Sequence, residues 1–161
     1  MDNRHYIGFC VLLCAFAASP AAGQPKPNFS GDWVLDLSSS RLHPDFAVLE
    51  RGTVRIVHDE PSFSFHRTFS VKGQTSEVSY EVTTDGRQHR STGRSGGIIL
   101  ATMRWEHTAL ILRQRITDPK AGELSNEVRY ELLDDGRTLR ATEDFEGAGR
   151  SHHNVWIFRR R

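Results

Sequence analysis

From residue 29 onward the chain alternates apolar and polar side chains at every second position, in short runs broken by turn residues. A period of two sends alternate side chains to opposite faces of a strand, and little of the chain carries the 3.6-residue period of a helix. Residues 33–37 gather Trp33, Leu35 and Leu37 on one face, and residues 53–59 gather Val54, Ile56 and His58. Residues 62–70 set Phe63, Phe65, Arg67 and Phe69 against Ser64, His66 and Thr68, and residues 77–83 collect Val78, Tyr80 and Val82. Runs at 87–92, 98–106, 109–117, 127–133, 138–145 and 152–159 complete nine or ten strands. Asp85-Gly86 and Asp135-Gly136 are hairpin signals, because glycine takes the positive φ such turns need. Residues 38–47, polar and interrupted by Pro44, read as a loop or short helical turn of the kind that covers one end of a barrel.

A sheet of this many strands ordinarily closes on itself to remove its edges. The predicted fold is therefore all-β, an antiparallel up-and-down β-barrel of about 8–10 strands. A two-sheet β-sandwich is the alternative, since strand count does not separate the two.

Two motifs bracket the strands. Phe29-Ser-Gly-Asp-Trp33 opens the first, and Val155-Trp-Ile-Phe-Arg159 closes the last. A Gly-x-Trp at the start with an arginine at the end resembles the lipocalin and fatty-acid-binding (calycin) group of β-barrels. The chain also looks like small exported bacterial lipocalin-like proteins of unassigned function. The resemblance implies that Gly31 and Trp33 close the barrel floor and that a terminal arginine, Arg159 or its neighbour Arg160, packs across it, with Arg159 taken as the closing residue. It also implies an interior, and hence a ligand. The chain departs from true lipocalins in showing no C-terminal helix and no disulfide, and the second and third lipocalin motifs have no clear counterpart. Thr117-Asp118-Pro-Lys120 lies roughly where a Thr-Asp-Tyr-like turn would fall.

Residues 1–23 read as a signal peptide. Arg4 and His5 make a weak positive start, residues 7–18 are apolar but too short to span a bilayer, and Ala21-Ala22-Gly23 supplies small residues for cleavage. A cut after Ala17 and a buried N-terminal helix are the alternatives. Export to the periplasm or the exterior follows, and Cys10 and Cys14 would leave with the signal. The remaining domain would rest on its core without disulfides. Residues 24–28 form a Pro-containing flexible leader, and residues 29–161 a single domain. Without Arg4 and Asp2 the chain keeps 20 basic and 19 acidic side chains, a balance that argues against nucleic acid or an anionic membrane as partner. No later stretch is apolar enough for an integral membrane helix.

Candidate site residues are polar side chains on otherwise apolar faces. Arg67 lies between Phe65 and Phe69, Gln114 between Leu112 and Ile116, and Glu143 between Ala141 and Phe145. Alternation points all three inward. A buried charge is costly unless paired or solvated, so Arg67 and Glu143 must pair, meet water in a lumen, or meet a ligand. A bulge that turns Arg67 outward is the alternative. In fatty-acid-binding proteins a luminal arginine holds the ligand carboxylate, and the resemblance makes Arg67 the candidate. Tyr80, Tyr130 and Trp105, with Phe63, Phe65 and Met103, would supply apolar lining, or equally a plain core.

Glu77-Val-Ser-Tyr-Glu-Val-Thr-Thr-Asp-Gly-Arg87 recurs fifty residues on as Glu127-Val-Arg-Tyr-Glu-Leu-Leu-Asp-Asp-Gly-Arg137. Either a half-barrel was duplicated or two hairpins with the same turn converged. His58 and His66 could meet across a hairpin, but no metal-ligand spacing appears, and neither a metal nor a cofactor is implied. There is no Gly-x-Ser-x-Gly elbow, and no catalytic residue is indicated. The reading is an exported binding module holding a small apolar or amphipathic molecule, with a carboxylate among the options. The alternatives are a filled barrel acting through its surface as an envelope structural or protein-interaction module, or a haem barrel.

Overall fold

A computed structural model describes residues 25–161. The proposed signal peptide and both cysteines lie outside the described residues. Ten strands run β1 Gly31–Leu35, β2 Leu49–Asp59, β3 Ser62–Val71, β4 Gln74–Thr83, β5 Asp85–Thr92, β6 Ile98–Glu106, β7 Ala109–Asp118, β8 Gly122–Leu133, β9 Thr138–Gly147 and β10 Arg150–Arg160. They form one antiparallel sheet in the order β4-β3-β2-β1-β10-β9-β8-β7-β6-β5. First and last strands pair through Trp33↔Arg160 and Leu35↔Phe158, so the sheet curls into an up-and-down, nearly closed barrel rather than a sandwich.

Closure fails at one seam. Strands β4 and β5 follow each other through Asp85-Gly86, yet β4 pairs with β3 and β5 with β6, and no ladder joins them. Side-chain hydrogen bonds bridge the seam. At one end His89 Nε2 lies 3.0 Å from the Thr83 amide, which donates to it. Toward the other end Arg94, from the glycine-rich loop, donates to the Glu77 carbonyl. The repeated segment forms a complete ladder in its second copy, where Tyr130 faces Ala141 and Leu133 faces Thr138. The same eleven-residue pattern therefore makes a hairpin once and a gap once.

The inner face carries the core. Phe29, Trp33, Val54, Ile56, Phe63, Met103, Leu110, Leu112 and Leu139 are almost wholly buried. Strand limits differ from the sequence pattern at two places. Leu37 falls beyond β1 and is exposed, because the chain has turned into the Asp36–Ser39 hydrogen-bonded loop. Strand β2 starts at Leu49, with an irregularity between Leu49 and Arg51 that the pattern of Thr53 onward does not announce.

The floor is sealed by Trp33, with the guanidinium of Arg160 over its ring at 4.3 Å. Arg160 also donates to the carbonyls of Ser30 and Gly136. The closing arginine is thus Arg160, and the assignment to Arg159 is corrected. Alternation on β10 decides it, since Arg160 lies opposite Trp33 while Arg159 lies opposite Val34, which is exposed. Arg159 instead donates to Asp36 and Thr138.

Between β1 and β2 the only regular element is a 3-10 turn, Pro44–Phe46. His43 caps it by accepting from the Asp45 amide. Phe46 meets Trp156 edge-on at 5.0 Å, and the His43 amide donates to Asn154 Oδ1 at 2.7 Å. The segment is thereby fixed to β10 over one end of the barrel.

Candidate functional site

Inside the barrel lies a cavity of about 130 Å³. Its apolar wall includes Phe65, Phe69, Leu112, Val128, Leu139 and Phe158. Its polar lining is Arg67, Tyr80, Gln114, Asn126, Tyr130 and Glu143. Of the six residues singled out from the sequence as ligand-binding, the fold brings Arg67, Glu143, Gln114, Tyr80 and Tyr130 to this one cavity.

Trp105 does not line it. It sits at the end of β6, next to the β6–β7 turn, where it packs on Phe29 and His58 at the floor. There its Nε1 donates to Glu60 Oε1 at 2.6 Å, and Lys26 lies 5.1 Å from its ring. Phe63 and Met103, one step closer to the floor than the cavity, are plain core.

Arg67 is placed by β3. It lies opposite Val54 on β2 and Val78 on β4, and the irregularity in β2 falls further along, so the inward register holds. Its guanidinium stacks over the Phe69 ring at 4.3 Å. Among the described residues it forms no hydrogen bond or ion pair. The two charges of the lumen therefore do not neutralise one another directly.

Glu143 is held on the opposite wall by β9. One carboxylate oxygen, Oε2, accepts from Asn154 Nδ2 and from Trp156 Nε1, both at 2.9 Å. Asn154 is itself fully buried and is tied to the covering segment through His43. The other oxygen has no partner among the described residues. Asp144, the next residue, points outward to His153, as strand alternation requires.

Gln114 and Asn126 face each other across β7 and β8. Asn126 Nδ2 donates to Gln114 Oε1 at 3.2 Å, and Asn126 Oδ1 is buried without a partner. Sequence reading passed over Asn126, although it interrupts the face of Leu124, Val128 and Tyr130 just as Gln114 interrupts its own. Trp156 and Asn154, which fix Glu143, were likewise legible as the inner face of β10 but carried no signal of their partner.

Tyr80 and Tyr130, equivalent positions of the repeated segment, meet across the lumen with hydroxyls 2.8 Å apart. Phe65 stacks on Tyr80 at 4.7 Å. Burial pushes the ionisation of Tyr80 well above the usual tyrosine range, and the neighbouring Tyr130 adds to it. Burial also pushes Tyr130 up, against the hydrogen bond with Tyr80, which favours its ionised form. Both hydroxyls are therefore neutral donors at physiological pH.

The described histidines do not converge. His58 is buried at the floor, accepting from the Phe29 amide through Nδ1 and facing Glu60 through Nε2. That accounts for its polarity inside a core. His66 is on the outer face beside Ser79, so the two do not meet across the β2–β3 hairpin. Among the described residues no three His, Asp or Glu side chains gather as metal ligands would. No helix among them is long and apolar enough to cross a membrane.

No family model matches the chain. No curated protein matches it either. Solved structures do match, over nearly the whole described chain. The REP1-NXSQ fatty acid transporter aligns with a TM-score of 0.52 at 19% identity, covering 82% of this chain and 95% of its own. Lipid binding protein 8 of Caenorhabditis elegans aligns at 0.56 and 13% identity, covering 83% and 95%. The zebrafish ileal bile acid-binding protein, solved with cholic acid, aligns at 0.53 and 16% identity, covering 83% and 98%. At these identities the likeness is one of fold. The fold is thus that of a calycin-like β-barrel, similar to the fatty-acid-binding-protein fold.

Proposed function

We propose that this barrel is an exported binding module that holds a small amphipathic molecule, its anionic group against Arg67. One observation carries the reading: a guanidinium directed into a mostly apolar lumen with no anionic partner among the described residues. Arg67 is half-buried, so an anion beside it would add a charge-assisted contact that the lumen does not otherwise supply. A ligand carboxylate would supply the missing charge and a two-pronged hydrogen-bond geometry that a guanidinium matches. The fold supports the reading by analogy, since its structural neighbours are named for fatty acids, lipids and bile acids. Export rests on the sequence of residues 1–23.

The test is native mass spectrometry of the protein purified from its own host, beside a denatured sample. A low-mass species present only in the native spectrum is expected, and Arg67→Ala should lose it. A protein that arrives without ligand, and takes up no carboxylate from benzoate to hexadecanoate, overturns the proposal in favour of a filled barrel acting through its surface.

A further inference from the structure

The lumen holds more recognition chemistry than one anion needs. Opposite Arg67 it presents two hydrogen-bond acceptors without a partner among the described residues. One is the second oxygen of Glu143, whose first already receives two donors. The other is Asn126 Oδ1, buried and unsatisfied. A buried acceptor left without a donor is unfavourable, so Asn126 Oδ1 calls for a donor brought in from outside, and the half-buried Glu143 offers a second acceptor on the same lining. Arg67 is not that donor, since it bonds to neither.

Size narrows the class further. The space is about 130 Å³. An apolar cavity of roughly 150 Å³ accepts a benzene ring, whereas sites for larger ligands usually run from about 300 to 1,000 Å³. Phe65, Phe69 and Phe158 give it aromatic walls suited to a flat ring. The far donor is better a hydroxyl than an ammonium, because burying a second ligand charge carries a larger desolvation cost.

We infer that the lumen selects a small hydroxylated aromatic carboxylic acid, its carboxylate on Arg67 and its hydroxyl donating to the Glu143–Asn126 side, in preference to a long-chain fatty acid. This rests on the lumen being a binding site, as proposed above.

Calorimetric titration of the whole exported chain with 4-hydroxybenzoate, benzoate and hexadecanoate separates the two claims. The expected result is binding of 4-hydroxybenzoate at least tenfold tighter than benzoate, with hexadecanoate weaker than both. Glu143→Gln should erase most of that tenfold advantage of 4-hydroxybenzoate over benzoate. Equal affinity for benzoate and 4-hydroxybenzoate overturns the inference, as does tighter binding of 4-(aminomethyl)benzoate. Binding of hexadecanoate alone overturns it too but leaves the lumen a binding site. No binding of any of them removes both claims. The ligand series is run on the unaltered protein, so the outcome does not depend on Glu143→Gln folding.

Discussion

At the residue scale the Tyr80–Tyr130 pair decides what the lumen costs. Each hydroxyl satisfies the other, so removing one strands its partner in a buried site. Tyr80→Phe or Tyr130→Phe should therefore destabilise the barrel by about 1–3 kcal/mol, and the double variant should be no worse than either single one. Urea unfolding of the three variants measures this, and simple additivity would refute it. The pair also sets an alkaline limit. The unfolded chain releases tyrosine protons near pH ~10, while the folded barrel retains them because both ionisations are raised. Above pH ~10 the folded state binds more protons, so stability is full below that pH and falls as pH rises past it. The double phenylalanine variant should lose part of that slope in unfolding curves taken between pH 9 and 11. A second residue test sits at the floor, where a Cβ on Gly31 would come within 2.6 Å of Arg160 Nη1, at a φ of +152°. Gly31→Ala should cost about 1–3 kcal/mol. Part of that cost should vanish in an Arg160→Ala background, and a double-mutant cycle showing no coupling would contradict the closure described for Arg160.

At the element scale the informative contrast lies between the two copies of the repeated segment. Their seven shared residues of eleven predict two like hairpins, and the molecule builds one hairpin and one seam. The difference lies in what each copy has beside it. Strands β8 and β9 pair along their whole length, whereas β5 is taken up by β6, and β4 keeps only β3. Pairing across a barrel is a property of the closed sheet, which no eleven-residue window contains. The inward set, by contrast, was legible because alternation is local: Arg67, Gln114 and Glu143 each break an apolar row and each reaches the lumen. Height along the barrel was not legible. Trp105 shares the inner face but lies at the floor, and only the ladder register reveals that. Hydrogen exchange tests the seam. The seam-facing amides of β4 and β5 should exchange much faster than the amides of β8 and β9, since they lack a ladder partner. Arg94→Ala, which removes the bridge to Glu77, should speed exchange in β4 and leave β8 unchanged. Equal protection in the two copies would show that the seam is closed in solution.

For the whole molecule, the lumen sets packing against the recognition proposed for it. A barrel of this size can fill itself with side chains, and the floor around Phe29, Trp33 and Met103 does so. The upper half keeps about 130 Å³ open and places a charge on each of two facing walls. Space and unpaired polarity both lower stability, so a site held open in this way should be improvable by closing it. Ala141 is the position to use, because it is buried on the cavity wall between Tyr130 and Trp156 in the ladders. Ala141→Leu adds three heavy atoms to the space without adding a polar group. Where a cavity exists to receive them, the urea midpoint should hold or rise, and uptake of an aromatic carboxylate should fall at least tenfold. Overpacking a filled core instead costs about 1–3 kcal/mol. A midpoint lowered by that amount would mean that the upper half, too, is core, and that the barrel acts through its outside.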